Sequence, residues 1–236
     1  MRKISTVILA SVVMVGSAMA ETGASRWTGE TELGLVSTSG NTETQTISAK
    51  AKGANERDKW KHEASLDVLN SEDKQTTTAE RYALIGKTNY KLSNLDYVFG
   101  MATYEDDRFS GYDWRASEFV GYGRHVIKKD DLTLSLEVGL GARQSKEDAG
   151  IRTDEGAARL AANLGWKISD TAKFTEELNS EIGEDVTISK SVTGLKSQIN
   201  DSLAMKITYT VKYVSKVPTM IEKIDRETGV TLVYSF

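Results

Sequence analysis

The stretch Leu132-Thr133-Leu134-Ser135-Leu136-Glu137-Val138-Gly139-Leu140-Gly141-Ala142-Arg143 decides the fold. Leu132, Leu134, Leu136, Val138, Leu140 and Ala142 share one parity; Thr133, Ser135, Glu137, Gly139, Gly141 and Arg143 share the other. A helix would spread both sets around its circumference, whereas a strand places them on opposite faces. The alternation returns at Leu203, Met205, Ile207, Tyr209, Val211 and Tyr213, set against Ala204, Lys206, Thr208, Thr210 and Lys212.

Working outward, less pure versions of the pattern fill the chain. Trp27, Thr31, Leu33 and Leu35 mark a first strand, Ile47, Ala49 and Ala51 a second, and Trp60, Ala64, Leu66 and Val68 a third. Tyr82, Leu84 and Tyr90 mark a fourth, and Leu95, Tyr97, Phe99 and Met101 form the apolar parity of a fifth. In the sixth, near 113–126, Trp114, Val120 and Tyr122 share a parity with Glu118 while Phe119 opposes them, a conflict that a β-bulge would reconcile. Leu160, Ala162, Leu164 and Trp166 mark the eighth, and Phe174, Leu178 and Ile182 the ninth. The tenth, near 186–199, has the weakest pattern, and Val230, Leu232, Tyr234 and Phe236 close the chain. Turn residues punctuate these runs, as at Ser93-Asn94, Ser169-Asp170 and Asn200-Asp201. The expectation is one all-β domain over 21–236, an antiparallel barrel of about 12 strands, each of roughly 10–13 residues.

Period two does not separate a soluble barrel from a transmembrane one, so location rests on other features. Residues 1–20 combine Arg2 and Lys3, an apolar stretch from Ile4 to Val15, and Ala18-Met19-Ala20. That is the pattern of a cleaved signal peptide, and the stretch falls short of the ~20 apolar residues of a spanning helix. Cleavage after Ala20 moves the net charge from −4 to −6, because only Arg2 and Lys3 are lost. A mildly acidic chain argues against a nucleic-acid partner. Aromatic residues gather at strand ends: Trp27, Trp60, Tyr90, Tyr97, Tyr122, Trp166, Phe174, Tyr234 and Phe236 are expected at one membrane interface, with Tyr82, Tyr104, Trp114 and Tyr213 at the other. Val230, Leu232, Tyr234 and the terminal Phe236 look like the assembly signal of outer-membrane barrels, so the barrel-assembly machinery is an expected partner during biogenesis. These features point to the cell outer membrane of a Gram-negative envelope, with membrane lipid and lipopolysaccharide as surroundings.

On that reading the polar parity lines a lumen. The candidate lining residues are Lys50, Lys52, Arg81, Lys87, Glu137, Arg143, Arg159, Glu177, Lys206 and Lys212. Connections at 70–78, 105–112, 144–154 and 215–225 are expected on the outer side and mostly longer than the inner turns.

Support for catalysis is thin. The two histidines, His62 and His125, have no nucleophile elbow to serve, and there is no cysteine. No enzyme activity, cofactor or metal site is expected. Glu105-Asp106-Asp107 and Glu147-Asp148 lack the ordered spacing of a calcium loop and read as solvated loop charge. Gly121-Tyr122-Gly123 and Gly139-Leu140-Gly141 lie inside strand patterns, where small residues ease curvature or packing.

One stretch carries a resemblance. Tyr104 to Arg115 reads Tyr-Glu-Asp-Asp-Arg-Phe-Ser-Gly-Tyr-Asp-Trp-Arg. Together with Thr38-Ser39-Gly40-Asn41-Thr42, Gly121-Tyr122-Gly123 and the closing Gly229 to Phe236, it resembles the YdiY-type family of salt-induced outer-membrane proteins, which is defined by a domain of unknown function. The likeness spans about 27–236. It implies an outer-membrane barrel with expression linked to salt, and supplies no catalytic residues. Within it, Asp107, Arg108, Phe109, Gly111, Tyr112, Asp113 and Arg115 form a motif at an outer loop, with Arg108 and Arg115 expected to be pinned by Asp106, Asp107 or Asp113. A contact for lipopolysaccharide or a solute is the functional alternative.

The expected function is a narrow, porin-like channel for small solutes or ions. A structural, stress-response barrel with an occluded lumen is the alternative, since paired charges could fill the interior.

Overall fold

The computed structural model describes residues 27–39, 44–73, 76–107, 112–147, 150–217 and 221–236. Residues 1–20, read above as an expected signal peptide, lie outside them. Twelve strands follow in order: β1 (Trp27–Ser39), β2 (Thr44–Glu56), β3 (Trp60–Asp73), β4 (Thr76–Lys91), β5 (Asp96–Asp107), β6 (Tyr112–Lys128), β7 (Leu132–Glu147), β8 (Arg152–Lys167), β9 (Ala172–Gly183), β10 (Thr187–Gln198), β11 (Leu203–Val214) and β12 (Ile224–Ser235). Each pairs antiparallel with its sequence neighbours, and β12 returns to β1, so the sheet closes. A closed antiparallel sheet leaves no unpaired edge, the condition for crossing hydrocarbon with strands. No helix among the described residues is long and apolar enough to cross a membrane.

Closure is direct. Gly29 N donates to the Phe236 carbonyl at 2.9 Å, and Phe236 N donates to the Gly29 carbonyl at 2.9 Å. Val230, Leu232 and Tyr234 pair with Leu35, Leu33 and Thr31 on the same outer face.

Ion pairs between strands that are not neighbours identify the inner face, because only the interior connects them. Arg81 of β4 pairs with Glu227 of β12, Lys87 of β4 with Glu137 of β7, and Lys212 of β11 with Glu105 of β5. The opposite parity carries exposed apolar side chains, led by Val120 and Leu140 at 69% each. This is the inverted pattern of a membrane barrel, apolar outward and polar inward.

Four points of the sequence reading are corrected or filled in. First, the fifth strand is reversed. Tyr97, Phe99 and Met101 face inward, and Val98, Gly100, Ala102 and Tyr104 carry the outer parity, since Tyr104 pairs with Leu84. Tyr97 therefore leaves the aromatic girdle. The remaining rings keep the outer parity near the turn end, and Trp60 meets Tyr90 edge-on at 4.9 Å.

Second, β6 needs no central bulge. Its register with β7 runs unbroken from Trp114–Lys146 to His125–Ser135, and shifts occur only near the strand ends. Plain alternation puts Phe119 inside and Glu118 outside, beside Ala102 and Ala142.

Third, β10 is inverted, which explains its weak pattern. Ile188, Lys190, Val192 and Lys196 face inward, while Ser189, Ser191, Thr193 and Leu195 face outward. The outward hydroxyls satisfy one another and Glu176: Ser180 and Ser189 lie 2.8 Å apart, and Ser191 and Thr193 donate to Glu176 at 2.8 and 2.6 Å.

Fourth, strands run further than expected into the outer connections. β3 and β4 are separated by residues 74–75 alone, so the predicted loop at 70–78 is largely sheet.

Candidate functional site

The inner face is built around one aromatic cluster. Tyr97, Phe99 and Phe119 are buried there with Ala157, and Met101 packs against them. Glycines make room: a Cβ on Gly121 or Gly139 would lie 2.7 or 3.2 Å from Phe99 Cζ. The paired glycines of β6 and β7 are thus the floor on which the rings lie, a close approach that a side chain would block.

Charge is organised over this floor. Glu137 accepts from Lys87, from Tyr97 Oη at 2.7 Å and from Arg159 Nη1 at 3.0 Å, tying β4, β5, β7 and β8 together. Phe99 lies between the same two cations, with Lys87 Nζ 5.0 Å and the Arg159 guanidinium 5.8 Å from its ring centre. A carboxylate shared by two cations over an aromatic face satisfies groups that would be costly to hold unpaired away from bulk water.

Towards the loop end, Arg143 is 1% exposed. Its Nε and Nη2 donate to Glu155 Oε1 at 3.0 and 2.6 Å, and Nη2 also donates to the Val186 carbonyl. On the facing wall, Lys206 pairs with Glu32 at 2.9 Å, Lys196 with Glu30 at 2.5 Å and Lys50 with Asp67 at 3.0 Å. Lys212 reaches Glu105 at 2.5 Å and Asp107 at 3.8 Å. Glu105 and Asp107 are therefore inner-face partners of a lysine rather than solvated loop charge.

All ten candidate lining residues lie on the inner parity. They divide by environment. Glu137, Arg143 and Arg159 are buried in the packed half. Glu177 is exposed, and Lys50 and Lys52 are half-buried. Lys52 forms no ion pair among the described residues, and neither does Lys190, which sequence reasoning left out because it sits on the inverted strand.

Of the loop motif, Arg108, Phe109 and Gly111 lie outside the described residues. Tyr112 and Arg115 are buried, and the Arg115 guanidinium stacks on the Tyr112 ring at 4.0 Å. Asp113 pairs with Lys146, so the expected Arg115–Asp113 pin is replaced by an Arg–Tyr stack. Trp114 points outward, stacked with Tyr104 at 6.4 Å.

The histidines sit apart. His62 stacks on Trp60 on the outer face at 5.9 Å, with Nδ1 3.1 Å from Thr88 Oγ1. His125 lies against Tyr97, 5.3 Å between ring centres. No group of three or more His, Asp or Glu side chains is placed to hold a metal ion among the described residues.

The family model described as a protein of unknown function, DUF481, matches residues 31–236, the barrel from the first strand to the terminal phenylalanine. The chain belongs to the DUF481 family. The uncharacterized protein YdiY of Escherichia coli (strain K12) is 28% identical to this DUF481 member over 210 residues, covering 88% of this chain and 82% of that protein. Among solved structures, the NanC porin superposes with a TM-score of 0.59 at 10% identity, covering 86% of this chain and 98% of that one. The translocator domain of the autotransporter NalP from Neisseria meningitidis gives 0.53 at 10% identity, covering 94% and 92%. At such identities the likeness is one of fold, and the fold is that of an outer-membrane β-barrel.

Proposed function

We propose that this DUF481 barrel is a narrow, water-filled channel for small solutes or ions in the outer membrane, reached by signal-peptide export. The observation that carries the reading is an inward aliphatic side chain that keeps more than a third of its surface accessible. Ile85 faces inward at mid-strand in β4, between Ser65 and Thr103, and is 37% exposed. Glu177, inward at the middle of β9, is exposed as well. A lumen filled by its own side chains would bury both, as narrower barrels do.

The passage is eccentric. The cluster of Phe99, Phe119, Arg143 and Arg159 fills one side, and accessible surface runs past Ile85, Lys50, Lys52 and Glu177 on the other. Lys52 and Lys190, without ion-pair partners among the described residues, outnumber the likewise unpaired Glu177 on this path and give it a positive bias and hence a preference for anions. The likeness of fold to the NanC porin supports a channel.

The buried cluster favours a second reading, a sealed barrel with a structural role. Solute flux separates the two. Proteoliposomes of the refolded protein should swell in small sugars or amino acids at a rate that rises with protein loading and falls with solute size. Swelling no faster than protein-free liposomes would favour the sealed barrel. The link to salt belongs to the same reading and is tested by growth of a deletion strain across a sodium chloride series.

A further inference from the structure

Lys52 of β2 and Glu177 of β9 stand on nearly opposite walls of the lumen, five pairings apart around the closed sheet. Both face inward near mid-strand, which puts them at similar depth. Among charged groups, Glu177 acts most strongly on Lys52, yet the two do not come within ion-pair distance. Neither forms an ion pair or a side-chain hydrogen bond among the described residues. The cations beside Lys52 are taken: Lys206 pairs with Glu32 at 2.9 Å and Lys50 with Asp67 at 3.0 Å. Around Glu177, Asn163 and Val192 lie opposite it in register and carry no charge, and Lys190, diagonal to it on β10, does not pair with it.

Most inward charges of this barrel are matched, as Glu137 is by Lys87 and Arg159. Lys52 and Glu177 are the exception, an unmatched cation and an unmatched anion facing each other across the open side. A simple anion is drawn to Lys52 and repelled by Glu177, and a simple cation meets the reverse. A solute that carries both charges answers both at once. In a passage narrower than that of a 16-stranded porin, such a solute sheds part of its water, and contact with the two side chains replaces it. Glu177 is exposed and Lys52 only half-buried, so the contacts are weak enough for release, which flux requires. For a bare ion the excess of lysines sets the sign; for a solute in contact with both walls the opposed pair decides.

We propose that Lys52 and Glu177 select small zwitterions, free amino acids among them, with the ammonium turned to Glu177 and the carboxylate to Lys52. This selectivity rests on the channel reading above and names its substrate class.

The test is osmotic swelling of proteoliposomes of the refolded barrel at neutral pH in L-threonine and, in parallel, in erythritol, an uncharged polyol of the same carbon count. Both solutes have no net charge, so neither flux builds a membrane potential. Threonine should enter the wild type about threefold faster than erythritol or more, as two solvent-exposed ion pairs allow. Glu177→Gln and Lys52→Gln should each bring the ratio of the two rates close to one while leaving the erythritol rate unchanged. Neither side chain holds the wall, so both variants should keep the heat-modifiable gel migration of a folded barrel. Equal entry of the two solutes into the wild type, or an unchanged ratio in folded Glu177→Gln, would overturn the selectivity and leave the channel standing. Entry of neither solute would overturn the channel and the selectivity with it.

Discussion

Lys212 on β11 and Glu105 on β5 meet across the interior, Nζ to Oε1, at 2.5 Å, joining walls that the sheet itself keeps apart. Removing one partner strands a charge in a largely enclosed site. Lys212→Met is expected to lower stability by about 3–5 kcal/mol, whereas Lys212→Met with Glu105→Met should recover much of the loss. Urea unfolding midpoints in lipid vesicles check this. Additive losses in the double variant would contradict a coupled strut.

Phe119 is 2% exposed and, with Phe99, fills one side of the lumen. Phe119→Ala should cost about 3–5 kcal/mol and widen the passage. Larger unitary conductance with a lower unfolding midpoint is the expected pair of results. A lower midpoint at unchanged conductance would place the ring away from the path.

The terminal ring lies over a glycine. A Cβ at Gly29 would collide with the Phe236 side chain at the seam where β1 meets β12. Gly29→Val should therefore cost about 1–3 kcal/mol by overpacking. Refolding yield, scored by heat-modifiable migration, should fall for Gly29→Val. Gly100→Val, at an outward glycine with nothing within 4 Å of its Cβ position, should refold like the wild type.

How much of this was legible in the sequence depends on which partner a residue answers to. The strands of β7 and β11 were plain because each outer residue answers to lipid, one uniform neighbour. Tyr97 and Phe99 answer to each other and to glycines on β6 and β7, so their apolar parity mimicked a lipid face. The glycine pairs were the available signal: with Gly139 and Gly141 on the polar parity of β7, they marked where large inward rings had to lie. β10 was obscure because its outward hydroxyls are satisfied by Glu176 and Ser180 of the neighbouring strand, a relation set by register. The inward-facing charged residues could be found from parity alone. The cross-barrel pairs could not, since Lys212 and Glu105 are brought together only by closure. Arg115 resisted for a related reason: its contact is the Tyr112 face, although carboxylates flank it in the chain.

Lys52 and Lys190 set the sign of the proposed path. Replacing both by Glu should move the reversal potential in a potassium chloride gradient from anion-selective towards cation-selective. Replacing Lys206, held by Glu32 at 2.9 Å, by Gln should change selectivity less. An unchanged reversal potential in the double Glu variant would remove these two lysines from the conduction path.

Conduction itself is the central claim, and single-channel recording in a planar bilayer tests it most directly. The refolded wild-type barrel, first verified by heat-modifiable migration, should give discrete steps whose size rises with potassium chloride concentration. A folded barrel that stays silent across the series would contradict the account, and would mean that the ion-paired interior closes the lumen.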